Sequence, residues 1–279
     1  MAVLLLAAVL FIGLGIRDAG KPDDLYTYQL AAERIVQGQQ LYVNPGFAHD
    51  LTYLSAPWVA WLWIPLNGLP GDLGPALWRV ACLAAALSVI VTLGRVRGPA
   101  GPLLAAMALP MLGAVPQGNV GVLMVGLLVV RRADPWSVAI ATSLKVYPLL
   151  LVLGYVAERR WRDLALALGL AAGLWLPALL FNIGDWRIPP PVGAILPASV
   201  LPWLVPALGA VLVMLAIRGS RWIWLAIGAS MPLAIHHNVG VEYVWMAALT
   251  GDPSPAATQS SGLLPDSPRE PLDGNPLRG

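Results

Sequence analysis

Residues 133–158 read ADPWSVAIATSLKVYPLLLVLGYVAE. The run exceeds the ~20 residues of a membrane helix, but Lys145 and Pro148 interrupt it in the middle. A lysine at membrane depth is costly unless it faces a cavity or a partner. A proline removes a backbone donor and breaks the helix before it. The stretch is therefore read as a hairpin of two short halves that enter and leave on the same face. Irregular backbone at that depth is tolerated where it lines a protein cavity.

The surrounding sequence sets this hairpin in a membrane. Of 279 residues, 58% are hydrophobic and 11% are charged, and the mean hydropathy is +0.71. Soluble domains carry about 25% charged residues. Apolar runs fall at roughly 1–16, 51–68, 74–94, 100–115, 118–130, 135–157, 161–181, 199–217, 222–235 and 239–250. The fold class is all-α: a polytopic helical membrane protein with about 8–10 membrane segments, some of them re-entrant or broken. The first run has no basic leader and no small-residue cleavage pattern, so it is read as a membrane helix rather than a signal peptide. Residues 1–250 form the membrane-embedded domain. Residues 251–279, rich in Pro, Ser, Gly and Asp, are read as a disordered polar tail.

The arginines give the orientation. Arg95 and Arg97, Arg131 and Arg132, Arg159, Arg160 and Arg162, and Arg218 and Arg221 form four clusters between apolar runs. The positive-inside rule wants all four on the cytoplasmic side. Simple alternation of every segment cannot do that, so two segments must return to the face they left. One is the hairpin at 133–158. The other is 51–68, LTYLSAPWVAWLWIPLNG, whose prolines and tryptophans suit a re-entrant or interface-lying helix. Asp23, Asp24, Gln117, Asn119, Lys145, Asp185, His236 and His237 then share the outer face.

Each of these residues has a plain reading beside a chemical one. The segment at 21–42, KPDDLYTYQLAAERIVQGQQLY, opens with two acids and continues as an amphipathic helix, with Leu25, Tyr28, Ala32, Ile35 and Val36 on one face. Asp23 or Asp24 suits a helix N-cap. A partly desolvated carboxylate also becomes a better proton acceptor and can serve as general base. Lys145 can snorkel to an interface or contact an anion such as a phosphate. Gln117 and Asn119, in VPQGNVG, suit a turn with capping or hydrogen bonding to sugar hydroxyls. His236 and His237 are structural residues at a helix end or help to hold an anionic leaving group. Asp185 is read as a loop residue paired with Arg187.

Three stretches in this order resemble glycosyltransferase family 87, a group of membrane-embedded GT-C enzymes. The first is Asp24-Leu-Tyr-Thr-Tyr28 with Ala31-Ala32, Gly38 and Leu41-Tyr42. The second runs from Tyr53 through Pro57 to Pro65-Leu66. The third, and most specific, is Gln117-Gly-Asn119, then Arg131–Arg132, then Ser143-Leu-Lys145-Val-Tyr147-Pro148, then Glu158-Arg-Arg-Trp161. Met231-Pro232 with His237 is a weaker fourth match. The resemblance covers roughly residues 1–250.

It implies a hexosyltransferase of mannosyltransferase type in the plasma membrane, with its active site on the outer face. The donor is a polyprenyl monophosphate sugar, and the acceptor is a lipid-linked or surface glycan. Asp24 becomes the base, preferred over Asp23 because only Asp24 has the Asp-x-x-x-Tyr spacing to Tyr28. Lys145, with His236 and His237, meets the phosphate. Gln117, Asn119 and Tyr28 meet the sugar or acceptor, and segment 51–68 helps to form the polyprenyl groove. The leaving group is already acidic, so one carboxylate suffices where a glycosidase needs a pair.

No Gly-rich phosphate loop, nucleotide fold or zinc spacing occurs, so no cofactor or metal is expected. The single cysteine, Cys82, is read as packing. The arginines are explained by topology and give no basis for nucleic-acid binding. Two other readings stay open. One is a membrane transporter, favoured by Lys145 and the broken hairpin. The other is an inactive truncated homologue acting as a membrane partner, favoured by a polar tail that begins where family members continue with further helices.

Overall fold

The computed structural model describes residues 24–43, 53–96, 100–186, 201–220 and 222–234. The apolar runs at 1–16 and 239–250, the tail at 251–279, and Asp23, Arg97, Arg187, Arg221, His236 and His237 lie outside the described residues. Among the described residues there are helices and turns but no strand. The helices are α1 (Asp24–Val36), α2 (Pro57–Asn67), α3 (Leu73–Gly94), α4 (Ala100–Ala108), α5 (Met111–Ala114), α6 (Val120–Val130), α7 (Pro135–Leu144), α8 (Val152–Ala157), α9 (Trp161–Trp175), α10 (Leu201–Ile217) and α11 (Ile223–Ala234). Short 3₁₀ turns at Tyr147–Leu151 and Leu176–Leu180 precede α8 and extend α9.

Two helices are long and apolar enough to cross a membrane: Leu73–Gly94, with 22 residues, and Trp161–Leu180, with 20. Other apolar runs are cut by local chemistry. The run at 100–115 divides between α4 and α5 at Leu109–Pro110, because the residue before a proline is pushed away from helical backbone. Pro177, in the turn that extends α9, tightens the end of that helix into 3₁₀ form.

Residues 133–158 fold back on themselves. Ala133 and Tyr155 are 22 residues apart in sequence, which along one continuous helix is about 33 Å. Instead the Tyr155 hydroxyl donates to the Ala133 carbonyl at 2.5 Å. The reversal falls at Lys145, whose backbone is extended (φ −149°, ψ 136°). Tyr155→Phe removes the bond that closes the hairpin base and leaves a buried carbonyl unpaired. We expect a loss of about 1–3 kcal/mol, read as a lower thermal midpoint of the detergent-solubilised protein.

The arginine clusters gather at that base. α3 and α6 run parallel: Trp78 Nε1 donates to the Gly118 carbonyl at 2.7 Å near their starts, and Gly126 backs onto Ala85 further along. Their C-terminal ends lead into Arg95 and into Arg131–Arg132. The Tyr155–Ala133 bond brings Arg159, Arg160 and Arg162 to the same end. Gly219 backs onto the Ala157 carbonyl and adds Arg218. Within this end Arg160 bonds Asp163 at 2.7 Å and Glu158 at 3.1 Å. Glu158 in turn accepts from Trp224 Nε1 at 2.6 Å, tying α11 to the hairpin.

α1 and α2 stay at the other end. α2 has 11 residues, about 16 Å of helix. It starts against the hairpin tip, where Ala56 N–H donates to the Ser143 carbonyl at 2.7 Å. It ends beside α1, where Asn67 Nδ2 donates to the Gln29 carbonyl at 3.1 Å. An aromatic cluster joins α1, α2 and α3. Tyr28 stacks on Trp63 with centroids 6.1 Å apart, meets Tyr53 edge-on at 6.5 Å and lies 5.6 Å from Trp78. Such pairs add about 0.5–1.5 kcal/mol each beyond burial.

Of the face expected on α1, Leu25, Tyr28 and Ala32 are buried, Ile35 is half-buried and Val36 is exposed. The difference comes from the helix end. Gly38 takes φ +68°, while its N–H reaches Ile35 O and the Gln39 N–H reaches Arg34 O. That is a Schellman cap, which needs a residue at ease in left-handed backbone. It turns the chain outward at Val36.

Candidate functional site

The site forms where α1, the α5–α6 turn and the hairpin tip converge. Asp24 opens α1, which places a carboxylate at a helix N-terminus, the favoured end for negative charge. The first turn of α1 rests on the turn at 115–118, with the Leu25 N–H donating to the Gln117 carbonyl at 3.3 Å. Gly118 makes that approach possible: it has φ +63°, and an added Cβ would lie 2.3 Å from Leu25 Cδ2. Gly118→Ala is expected to push α1 off the turn at a cost of about 1–3 kcal/mol. The check is thermal unfolding in detergent, where a midpoint equal to the wild type would show that α1 is not seated through this contact.

Asn119 is buried at 3% exposure, and its Oδ1 accepts from the Gly121 N–H at 2.8 Å as the N-cap of α6. That is the capping reading of Asn119. Gln117 is half-buried and holds α1 through its carbonyl. Tyr28 is buried within the aromatic cluster, and its hydroxyl hydrogen-bonds the backbone at Val120. Its ring contacts, to Tyr53, Trp63 and Trp78, are packing contacts. Cys82 is fully buried, with its sulfur 3.9 Å from the Asn119 carbonyl. Asp185 pairs with Asn182 Nδ2.

Lys145 stands at the hairpin tip directly after α7. The Asp24 carboxylate acts on it electrostatically, and also on Tyr28 and Cys82. Asp24 and Lys145, 121 positions apart in the chain (145 − 24), therefore belong to one polar locus.

The backbone at the tip is fully accounted for. A helix leaves its last four carbonyls without helical partners. In α7, Ala141 O accepts from the Lys145 N–H at 2.9 Å and Ser143 O from the Ala56 N–H at 2.7 Å. Leu144 O accepts from Ser55 Oγ at 2.7 Å and Thr142 O from Trp175 Nε1 at 3.2 Å. Trp58 Nε1 adds a bond to Ser143 Oγ at 3.0 Å. Sequence reasoning missed Ser55, Trp58 and Trp175. Nothing local marks them, because their acceptors lie 33 to 89 positions away.

Beside Lys145 an apolar cavity of about 410 Å³ opens between residues 146–153 and α10, lined by Val146, Tyr147, Leu150, Leu153, Gly209 and Val213 among others. The Tyr147 hydroxyl is buried and has no hydrogen-bond partner. The groove expected along 51–68 is not where this cavity lies. α2 turns Val59, Ala60 and Trp63 into the protein interior to meet α1 and α3. Among the described residues no group of three or more His, Cys, Asp or Glu side chains could hold a metal ion. A scan against family models and searches of curated proteins and of solved structures return no match to this chain.

Proposed function

We propose that this chain is a polytopic plasma-membrane glycosyltransferase of the family 87 type. It moves a hexose, in the first instance mannose, from a polyprenyl monophosphate to a lipid-linked or surface glycan. The observation that carries the reading is the electrostatic influence of Asp24 on Lys145 at the end of the bundle opposite the four arginine clusters, an end where Arg79 also donates to the Pro116 carbonyl at 2.8 Å. One carboxylate and one ammonium at an outer membrane boundary are the two charges that this displacement needs.

The membrane setting is supported by exposed apolar stripes. On α3, Leu73, Leu77, Val80, Leu83, Leu87 and Val91 are all exposed and recur every three or four residues along the helix. A soluble monomer rarely leaves such a continuous apolar face in water. The orientation follows from the gathered arginines, which belong on the cytoplasmic side.

In the proposed step the Asp24 carboxylate takes the proton of an acceptor hydroxyl. The acceptor oxygen forms a bond to the anomeric carbon as the bond from that carbon to the phosphate oxygen breaks. The electron pair leaves with polyprenyl phosphate, and the configuration inverts. Lys145 neutralises the charge that grows on the departing phosphate. The apolar cavity along α10 adjoins that position and suits the isoprenoid chain. Gln117 holds the first turn of α1 through its carbonyl, and Tyr28 lies within electrostatic reach of Asp24.

The test is transfer from radiolabelled polyprenyl-phosphate mannose in membranes that contain the wild-type chain. Labelled lipid or glycan product above that of membranes lacking the chain is the expected result. Its absence, with the protein inserted and folded, removes this reading.

A further inference from the structure

We propose that residues 53–58 act as a strap that sets the position of Lys145 relative to Asp24, with Ser55 as its main positioning residue. The proposal rests on the placement of Lys145 described above. It gives residues 53–58 a role distinct from the groove-forming one expected of segment 51–68.

The strap is bonded on three sides. Toward its own chain, the Tyr42 hydroxyl donates to the Ser55 carbonyl at 3.1 Å, and the Tyr53 hydroxyl donates to the Ala56 carbonyl at 2.7 Å. The Tyr53 hydroxyl also accepts from the Ala60 N–H at 3.0 Å, which locks the strap to the first turn of α2. Toward α1, the Tyr53 ring meets Tyr28 edge-on, one helical turn beyond Asp24. Toward the hairpin, Ser55, Ala56 and Trp58 bond Leu144, Ser143 and the Ser143 hydroxyl. Leu144 is the residue immediately before Lys145.

The strap therefore touches the helix that carries the Asp24 carboxylate and the tip that carries the Lys145 ammonium. Ser55 is 3% exposed, and its hydroxyl makes one described contact, to the last carbonyl of α7. Removing it frees the Leu144 carbonyl and leaves the extended Lys145 held to α7 by its own N–H bond to Ala141 O. Lys145 then gains freedom, while the aromatic cluster below keeps its contacts.

The chain has two lysines, Lys21 and Lys145, so amine chemistry can read the tip directly. The full-length protein in nanodiscs is treated with a trace amine-acylating reagent, and the modification rate of each lysine is followed by peptide mass spectrometry. Ser55→Ala and, separately, Trp58→Phe are expected to raise the Lys145 rate about five-fold, the population change that follows from losing one buried hydrogen bond. Lys21 serves as the internal reference and should not change. Ser55→Thr, which keeps the hydroxyl, should restore the wild-type rate.

An unchanged Lys145 rate in folded Ser55→Ala and Trp58→Phe overturns the proposal. So does a parallel rise at both lysines, which marks general loosening. The readout does not depend on catalysis. If wild-type membranes transfer no sugar, the transferase reading fails and the labelling comparison still decides the strap.

Discussion

Asp24→Asn is expected to lower sugar transfer by about 10²- to 10⁴-fold, the usual contribution of a positioned general base. The substitution separates the two roles open to this residue. Asparagine caps helices as well as aspartate does, so a purely structural Asp24 would leave both fold and activity near wild type. Asparagine cannot take a proton from the acceptor. Donor affinity should change little, because the donor's phosphate is held by other groups. The effect should therefore appear in turnover rather than in the donor KM. The measurement is initial rate against polyprenyl-phosphate mannose concentration for the two proteins in nanodiscs. Equal turnover would remove Asp24 from the mechanism while leaving the reaction class open.

Lys145→Met is the second large effect, a fall of about 10²- to 10³-fold in kcat/KM, as for loss of one preorganised charge-stabilising group. Methionine fills similar space without charge and sits comfortably in an apolar setting. Unlike Asp24→Asn, this change should also weaken inhibition by the product, polyprenyl phosphate, because in the proposed step the ammonium contacts that anion directly. Lys145→Arg should recover part of the activity, since the charge is kept while its shape and reach differ. The double variant Asp24→Asn with Lys145→Met should fall by less than the product of the single effects, as expected for groups acting on one transition state. Undiminished product inhibition in Lys145→Met would place the phosphate contact elsewhere.

Much of the scaffold was legible from sequence because its signals are local or compositional. The apolar runs marked the helices, and Lys145 with Pro148 marked the reversal that the Tyr155–Ala133 bond closes. The segment at 51–68, expected to be re-entrant or interface-lying, holds a helix of 11 residues. Proximity of Asp24 to Lys145 followed only by counting faces, yet the two act on each other. Other features could not be read. The stripe on α1 shifts away from Val36 because a Schellman cap intervenes. Tyr28 packs on Trp63, a contact that a periodic pattern does not reveal. An apolar cavity opens beside the hairpin, while in α2 Trp63 packs on Tyr28 of α1 and Trp58 bonds Ser143, partners that a single sequence does not reveal. The strap bonds join residues 85 to 89 positions apart, a range at which a single sequence carries no pairing signal.

The four carbonyls at the end of α7 also constrain the order of assembly. In lipid, a helix that stops short would expose them to hydrocarbon, at several kcal/mol per group. The strap at 53–58 is synthesised before the hairpin, so its donors are in place when Ser143 and Leu144 emerge. Trp175 is not: it follows Thr142 by 33 residues, roughly two to seven seconds at ordinary translation rates. For that interval the nascent tip has three of its four partners. The chain order thus makes the N-terminal third an internal chaperone for the hairpin, and a circular permutant that moves residues 24–67 to the C-terminus should insert its hairpin poorly.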